Sequence, residues 1–371
     1  MLSLKEKLKD LFVVEGISQF SFNKDFSQVA LSKKDNIIYI YSIPILLKTK
    51  TWKLIYKLES HYEYISGIDW NHETNKILTC SYDKTSFVWE FIDNKWTPLN
   101  SVYPTKLGYL CCKWNKRGDK FCEGTSSKDL IIGYYNNKSK SWKGKSIKVH
   151  KSSVVACEID PTSFFVLSGS TDLRIYVSSC YIPEVDDIFL TSSSKSLIKE
   201  FGQILYEFKE KSLINSVTWF NENLGLIASH DATISVINPF EQKSEIIRCN
   251  HSPVTILISY DNKSFFAVCY DRNILEYEKK ENIWEIKRYI TLKENCIEIN
   301  GKKDKPKKQF NISEYIKICR FGSGNYEKME ESLIKCKKEP QLHLSLISSI
   351  NLKNNIIITT DLSGFVKFWK I

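Results

Sequence analysis

His61 and Asp83, His150 and Asp172, and His251 and Asp271 are three histidine–carboxylate pairs, the first two with a separation of 22 residues. In one copy such a pair is a general base, the carboxylate orienting an imidazole that takes up a proton. Three copies at matching places in one chain imply something else, because a single active site has no use for three dyads. An Asp in a turn between two strands, bonded to the His that opens the unit, satisfies two polar groups at once and ties the unit together, as buried polar groups require. His230 and Asp231 are adjacent on a turn and are expected to be solvated. The sequence carries no GxSxG, GxxxxGK[ST] or HExxH motif, so the usual nucleophile, phosphate-binding and zinc arrangements are missing.

The elements that position these pairs recur with the same period. Trp52, Trp96 and Trp142 follow one another at intervals of 44 and 46 residues, with Trp284 in a similar polar-aromatic setting. The copy opening at His61 contains three apolar-alternating runs, YISGIDW, KILTCS and SFVWEF, the last holding Trp89, separated by NHET and YDKT turns. Equivalent units occupy residues 17–42, 109–135, 150–177, 214–238, 251–278 and 343–371, making seven with 61–91. Repeats of about 40–45 residues made of short strands predict an all-β, seven-bladed WD40-type β-propeller, in which radial stacking buries both faces of each small sheet. The whole chain, 1–371, is then one propeller with two inserts, 181–212 between blades 4 and 5 and 281–342 between blades 6 and 7. The last copy ends after its third strand, so its outermost strand is expected from the N-terminal stretch Leu8–Val14.

Composition agrees. Hydrophobic residues make up 42% and aromatic residues 13% of 371 residues, enough for a large core. No apolar run is long enough to span a bilayer and MLSLKEKLKDLF has no signal-peptide core, so an intracellular protein is expected. Eleven cysteines without a CxxC pair fit reduced thiols packed as small hydrophobes, with no metal site and no cofactor. The net charge is +10, yet only six of the 53 basic residues are Arg, which argues against nucleic acid and leaves attraction for acidic partners as the use of the charge.

The segments ISGIDWNHETNKILTCSYDKTSFVWEF, SSCYIPEVDD, FGQILYEF, ASHDATISV and the terminal GFVKFW, in this order and spacing, resemble the WD-repeat propeller subunit of the Arp2/3 complex over almost the whole chain. The resemblance implies a non-enzymatic scaffold in the cytoplasm and its cytoskeleton, with the nucleus as a second compartment. Its partners would be the other complex subunits, including two actin-related proteins, the actin filament, and the acidic tails of nucleation-promoting factors. The alternatives from other classes are a WD-repeat adaptor of an unrelated complex and a hydrolase built on a propeller ring. Departures from the pattern are Ser127 and Ser363, which stand where Asp83 stands in the second copy.

By the same resemblance the 281–342 insert projects from the propeller and carries a short helix that touches actin. Local chemistry fits a helix over 312–321: Asn311 or Ser313 can cap it, Ile312, Tyr315, Ile316 and Cys319 form one apolar stripe, Arg320 and Phe321 end it, and Gly322 stops it. Before it, Gly301–Lys308 carries five Lys and one Asp, a solvated run. In the 181–212 insert the Ser-rich middle is expected to be a surface loop, and Phe201, Leu205 and Phe208 to be packing residues.

Overall fold

The middle runs of the repeats, such as ILTCS, FVLSGS and SFFAVC, are apolar or small along their whole length, which suits strands covered on both faces. The computed structural model describes residues 11–12, 16–43, 52–100, 103–190, 200–249, 252–261, 263–281, 283–290, 347–353, 356–361 and 365–370. These form seven four-stranded antiparallel sheets, here numbered 1 to 7 in chain order of their first strands. The second strands of sheets 2 to 6 are buried at every residue. Fourth strands instead alternate or face solvent, as in Lys95–Asn100 and Lys243–Arg248. Burial is therefore highest at the second strand, whose faces are covered by the neighbouring sheets, and falls toward the fourth.

The first strands are Gln19–Phe22, Ile65–Trp70, Tyr109–Trp114, Val154–Ile159, Ile214–Trp219, Val254–Ser259 and Ile347–Lys353. Each contacts the first strand of the next sheet, and the last meets both Val254–Ser259 and Gln19–Phe22, so the circle closes. This is the WD40-type propeller the repeats imply. In six of the seven sheets the pairing of first and second strands slips by one residue near the start of the first, for example between Ile65 and Gly67. Such bulges increase local twist and re-aim the residues beside them.

Sheet 7 takes its outermost strand from the other end of the chain. Leu11 pairs with Val366 and Phe12 with Phe365, antiparallel, outside the strand Phe365–Lys370. Two of the predicted inserts are shorter than the sequence suggests. Ile204–Lys209 is the fourth strand of sheet 4, and Ile283–Ile290 is the fourth strand of sheet 6, so neither belongs to an insert between blades. Both were hidden because their alternating pattern abuts a polar run. The 181–212 insert thus lies within sheet 4, and its start, Pro183–Asp186 and Asp187–Phe189, is helical. Phe201, Leu205 and Phe208 pack into the core clusters of sheets 3 to 5. His251, Ser363 and the predicted helix 312–321, with Ile312, Tyr315, Ile316, Cys319, Arg320 and Phe321, lie outside the described residues.

Boundaries between sheets are made by side chains. The Trp70 amide donates to Ser21 Oγ at 3.0 Å, that of Trp114 to Asp69 Oδ2 at 2.8 Å, and that of Trp219 to Glu158 Oε2 at 3.1 Å. Each link crosses from one first strand to its neighbour. The Ser86 hydroxyl donates to Glu123, a fully buried carboxyl between sheets 2 and 3 that burial pushes up to about 8 despite that bond. The helical start of the insert is anchored the same way: the fully buried Lys120 ammonium donates to Asp186 at 2.7 Å, and Arg117 reaches the other oxygen of Asp186 while stacking 4.2 Å from the Phe189 ring.

Because Leu11–Phe12 covers the outer edge of sheet 7, deletion of residues 1–14 leaves that edge open to pairing with other chains. The expected outcome in light scattering and thermal unfolding is aggregation or a broadened transition. A truncated chain that melts with the midpoint and sharpness of the intact one would contradict closure by this segment.

Candidate functional site

In sheet 2 the recurring polar residues of the repeat form a chain of hydrogen bonds. The Trp89 indole can only donate, and it donates to Thr79 Oγ1 at 2.9 Å. Thr79 is thereby free to donate its own proton to His61 Nε2, 2.9 Å away, which leaves Nδ1 as the protonated nitrogen. Nδ1 lies 2.8 Å from Thr85 Oγ1 and 3.3 Å from Asp83 Oδ2. Thr85 in turn donates to Asp83 Oδ1 at 2.5 Å. His61, Thr79 and Trp89 are all buried. Asp83 also accepts the Tyr62 and Thr85 amides, each at 2.7 Å. Burial alone would raise its pKa, but the bonds from His61, Thr85 and the Tyr62 amide hold it well below the usual carboxylate range.

The pair is thus a relay whose carboxylate grips backbone more closely than it grips the imidazole. Sheet 4 repeats the arrangement with a member missing. His150 Nε2 is 2.8 Å from Ser168 Oγ, and His150 Nδ1 is 3.5 Å from Asp172 Oδ2. Asp172 accepts the Lys151 amide at 2.6 Å and the Arg174 amide at 2.9 Å, and its pKa is lowered: these bonds outweigh its burial. Ser178 holds the register position of Trp89, so no indole closes this relay. Burial lowers the pKa of His150 against the pull of Asp172, which keeps its imidazole neutral. In sheet 6 Asp271 accepts the Asn273 amide at 3.1 Å. Ser127 in sheet 3 lies 3.0 Å from Thr125 Oγ1, and no carboxylate occupies its place. Thr79 and Ser168 were not singled out in the sequence, since lone hydroxyl residues inside apolar strands give no periodic signal.

A second repeated group has an equally regular signal in the sequence. Asn23, Asn71, Asn115, Asp160, Asn221 and Asp261 each follow the first strand of sheets 1 to 6. Each side-chain oxygen caps the turn by accepting amides further along, as Asn71 Oδ1 does from Glu73 and Thr74 at 2.9 Å. Asn71 Nδ2 also donates across the boundary to the Asn115 carbonyl at 3.0 Å, and Asn115 Nδ2 to Ser163 Oγ at 3.1 Å.

The histidine end of the sheets carries the exposed chemistry. There the turn after the second strand of sheets 2 to 6 donates an amide to the loop before the first strand: Tyr82 to Tyr64, Ser126 to Gly108, Thr171 to Ser153, His230 to Leu213 and Tyr270 to Pro253. A side chain on Gly108 would run into the Tyr82 backbone, its Cβ lying 2.6 Å from Tyr82 Cα, which explains glycine at that crossing. On these fixed loops Tyr62 is 86% exposed, Tyr64 55%, Tyr82 45% and Leu107 50%. Lys84, Lys106, Lys128, Lys151 and Lys211 are exposed on the same end. His230 and Asp231 are exposed too, Asp231 accepting from Thr233 and His230 meeting the Tyr270 ring edge-on at 5.5 Å. Apolar rings among cations on rigid loops can bind a protein segment that carries acidic and apolar side chains.

Residues 52–90 and 142–179 match the family described as WD domain, G-beta repeat. The chain is 28% identical over 281 residues to "Actin-related protein 2/3 complex subunit 1A" of Arabidopsis thaliana, covering 74% of each chain. It is 26% identical over 303 residues to "Actin-related protein 2/3 complex subunit 1A-A" of Xenopus laevis, covering 75% of this chain and 80% of that one. To "Actin-related protein 2/3 complex subunit 1" of Schizosaccharomyces pombe it is 20% identical over 274 residues, 72% of this chain and 71% of that one.

The relay should behave as one unit. His61→Ala and Asp83→Ala are each expected to cost roughly 1–3 kcal/mol by stranding a buried partner, and the double variant less than their sum. Strict additivity in denaturant melts would contradict the relay. The sign with pH follows from the lowered carboxylate: its contribution is complete above the ordinary range and is lost as pH falls through the folded value. The deficit of Asp83→Asn is therefore expected to be full at neutral pH and to shrink below about pH 4.

Proposed function

We propose that this WD-repeat propeller, a homologue of the proteins named Arp2/3 complex subunit 1, is a scaffold subunit of an actin-related protein 2/3 complex. The observation that carries the reading is the likeness to those proteins over about three-quarters of the chain, on a fold of repeated sheets. In this role the propeller holds its neighbours by geometry: rigid sheets present loops whose positions are fixed by the relays, and binding needs no chemical step. The complex would support nucleation of actin filaments, and branching from existing ones, in the cytoplasm at the cytoskeleton.

Two contacts belong to this reading. The acidic tails of nucleation-promoting factors are attracted by the net charge of +10, which speeds capture and makes the contact sensitive to salt. The actin filament is met by the segment 312–321, where Ile312, Tyr315, Ile316 and Cys319 make an apolar stripe if helical and Arg320 and Phe321 close it. A projecting stripe of that kind is recognised by an apolar groove on its partner.

The variant Tyr315→Asp with Ile316→Asp tests the second contact, since two carboxylates in an apolar interface cost several kcal/mol, enough to abolish it. The expected outcome is an unchanged thermal melt and normal incorporation into the complex, with filament binding or branching lost. A melt lowered by several degrees would place the stripe on the propeller itself and end the actin-facing reading of this segment.

A further inference from the structure

The eight cysteines among the described residues are all free thiols, and seven of them gather where one sheet meets the next. Cys80 of sheet 2 packs in one cluster with Cys112 of sheet 3, Cys111 and Cys122 of sheet 3 with Cys157 of sheet 4, and Cys249, just after sheet 5, with Cys269 of sheet 6. One of these contacts differs from the rest. Cys111 Sγ and Cys157 Sγ are 3.6 Å apart, on the first strands of two neighbouring sheets, and both line the cavity of about 360 Å³ on the axis of the ring. Cys80, Cys122, Cys249 and Cys269 are not on its wall.

Access and alignment come from the backbone. The register of sheet 3 slips between Tyr109 and Cys111, and that of sheet 4 between Val154 and Ala156, so each strand is bulged within two residues of its thiol. Cys111 keeps part of its surface exposed, whereas Cys157 is buried beside it. The two first strands share no ladder of backbone hydrogen bonds, so side chains alone join them there. The sulfurs are already 3.6 Å apart, and an S–S bond of about 2 Å needs them to close the remaining gap.

We propose that Cys111 and Cys157 are a redox modification site, forming a disulfide between sheets 3 and 4 when a peroxide enters the central cavity. The Cys111 sulfur attacks one peroxide oxygen, the O–O bond breaks, and a sulfenic acid and one water result. Cys157 then attacks that sulfur, the S–O bond breaks, and the hydroxyl leaves as a second water. Two thiols are oxidised and one hydrogen peroxide is reduced to two waters, with no other reactant. The bond spans 46 residues of chain, so it restricts the unfolded state, and it adds a covalent tie to a boundary otherwise held by packing, hydrogen bonds and ion pairs. In a scaffold whose output is the relative position of its loops, it locks two neighbouring sheets together.

The test uses the purified full-length chain, reduced and then exposed to hydrogen peroxide, followed by non-reducing digestion and mass spectrometry. The expected product is a cross-linked peptide pair whose fragment ions place the bond between Cys111 and Cys157, reversed by dithiothreitol. The oxidised protein is expected to melt several degrees above the reduced one. Cys111→Ser abolishes both the link and the shift, whereas Cys112→Ser keeps both. The proposal is overturned if Cys111 goes only to sulfinic acid, if the fragment ions join other cysteines, or if the link survives in Cys111→Ser. Fragment ions from the unmutated protein decide the assignment even where a variant folds poorly.

Discussion

Backbone hydrogen bonding ends at the fourth strand of every sheet, so, beyond the pairing of Leu11–Phe12 within sheet 7, what joins one sheet to the next has to come from side chains at the sheet boundaries. This constraint accounts for the polar groups in the interior. Ser21, Asp69 and Glu158 each hold the amide of a bulky aromatic on the next first strand, and the Trp114 and Trp219 indoles return the link to the Asp69 and Glu158 carbonyls. Asn71 and Asn115, the residues that follow Trp70 and Trp114, add ties of their own at the same end. Between these polar ties lie apolar wedges, such as Ile65, Ile68 and Trp70 packed on Ile38, Ile40 and Leu58 of the preceding sheet. Wedges supply most of the burial energy without direction; the ties set which sheet follows which and at what height.

The same division of labour reaches the surface. Asp83 and Asp172 sit in turns but spend their oxygens on amides of the loops that follow His61 and His150. Those loops carry Tyr62 and Lys151, exposed side chains of the cationic, aromatic end. A residue pattern that resembles catalytic dyads therefore serves to hold exposed loop residues still. The insert in sheet 4 follows the rule as well, with Asp186 tied to Lys120 and Arg117 of sheet 3 so that one loop clasps two sheets.

Much of this architecture is legible in the sequence because it repeats. The His-to-Asp interval and the apolar runs give the fold, and a last copy lacking a fourth strand points to the N-terminal segment that supplies it. Features that occur once, or that use common residues, are not legible in the same way. Thr79 completes the relay only because the pairing of two strands brings it under His61, and nothing local marks it. Lys120 and Asp186 are 66 residues apart and meet through an insert. The strands ILYEFK and IWEIKRYI alternate as strands should, but each lies beside a polar run that invites reading the whole as a loop. The Asn and Asp residues after the first strands do repeat, and their spacing was available to be read.

The proposed role has this propeller held in a complex with actin-related proteins. Affinity purification of the tagged full-length chain from its own cells, followed by mass spectrometry, tests it most directly. The account predicts recovery of two actin-related proteins with the remaining subunits of one complex, in fixed proportion to the chain and stable in physiological salt. Recovery of a different, reproducible set of partners with no actin-related protein among them would contradict it.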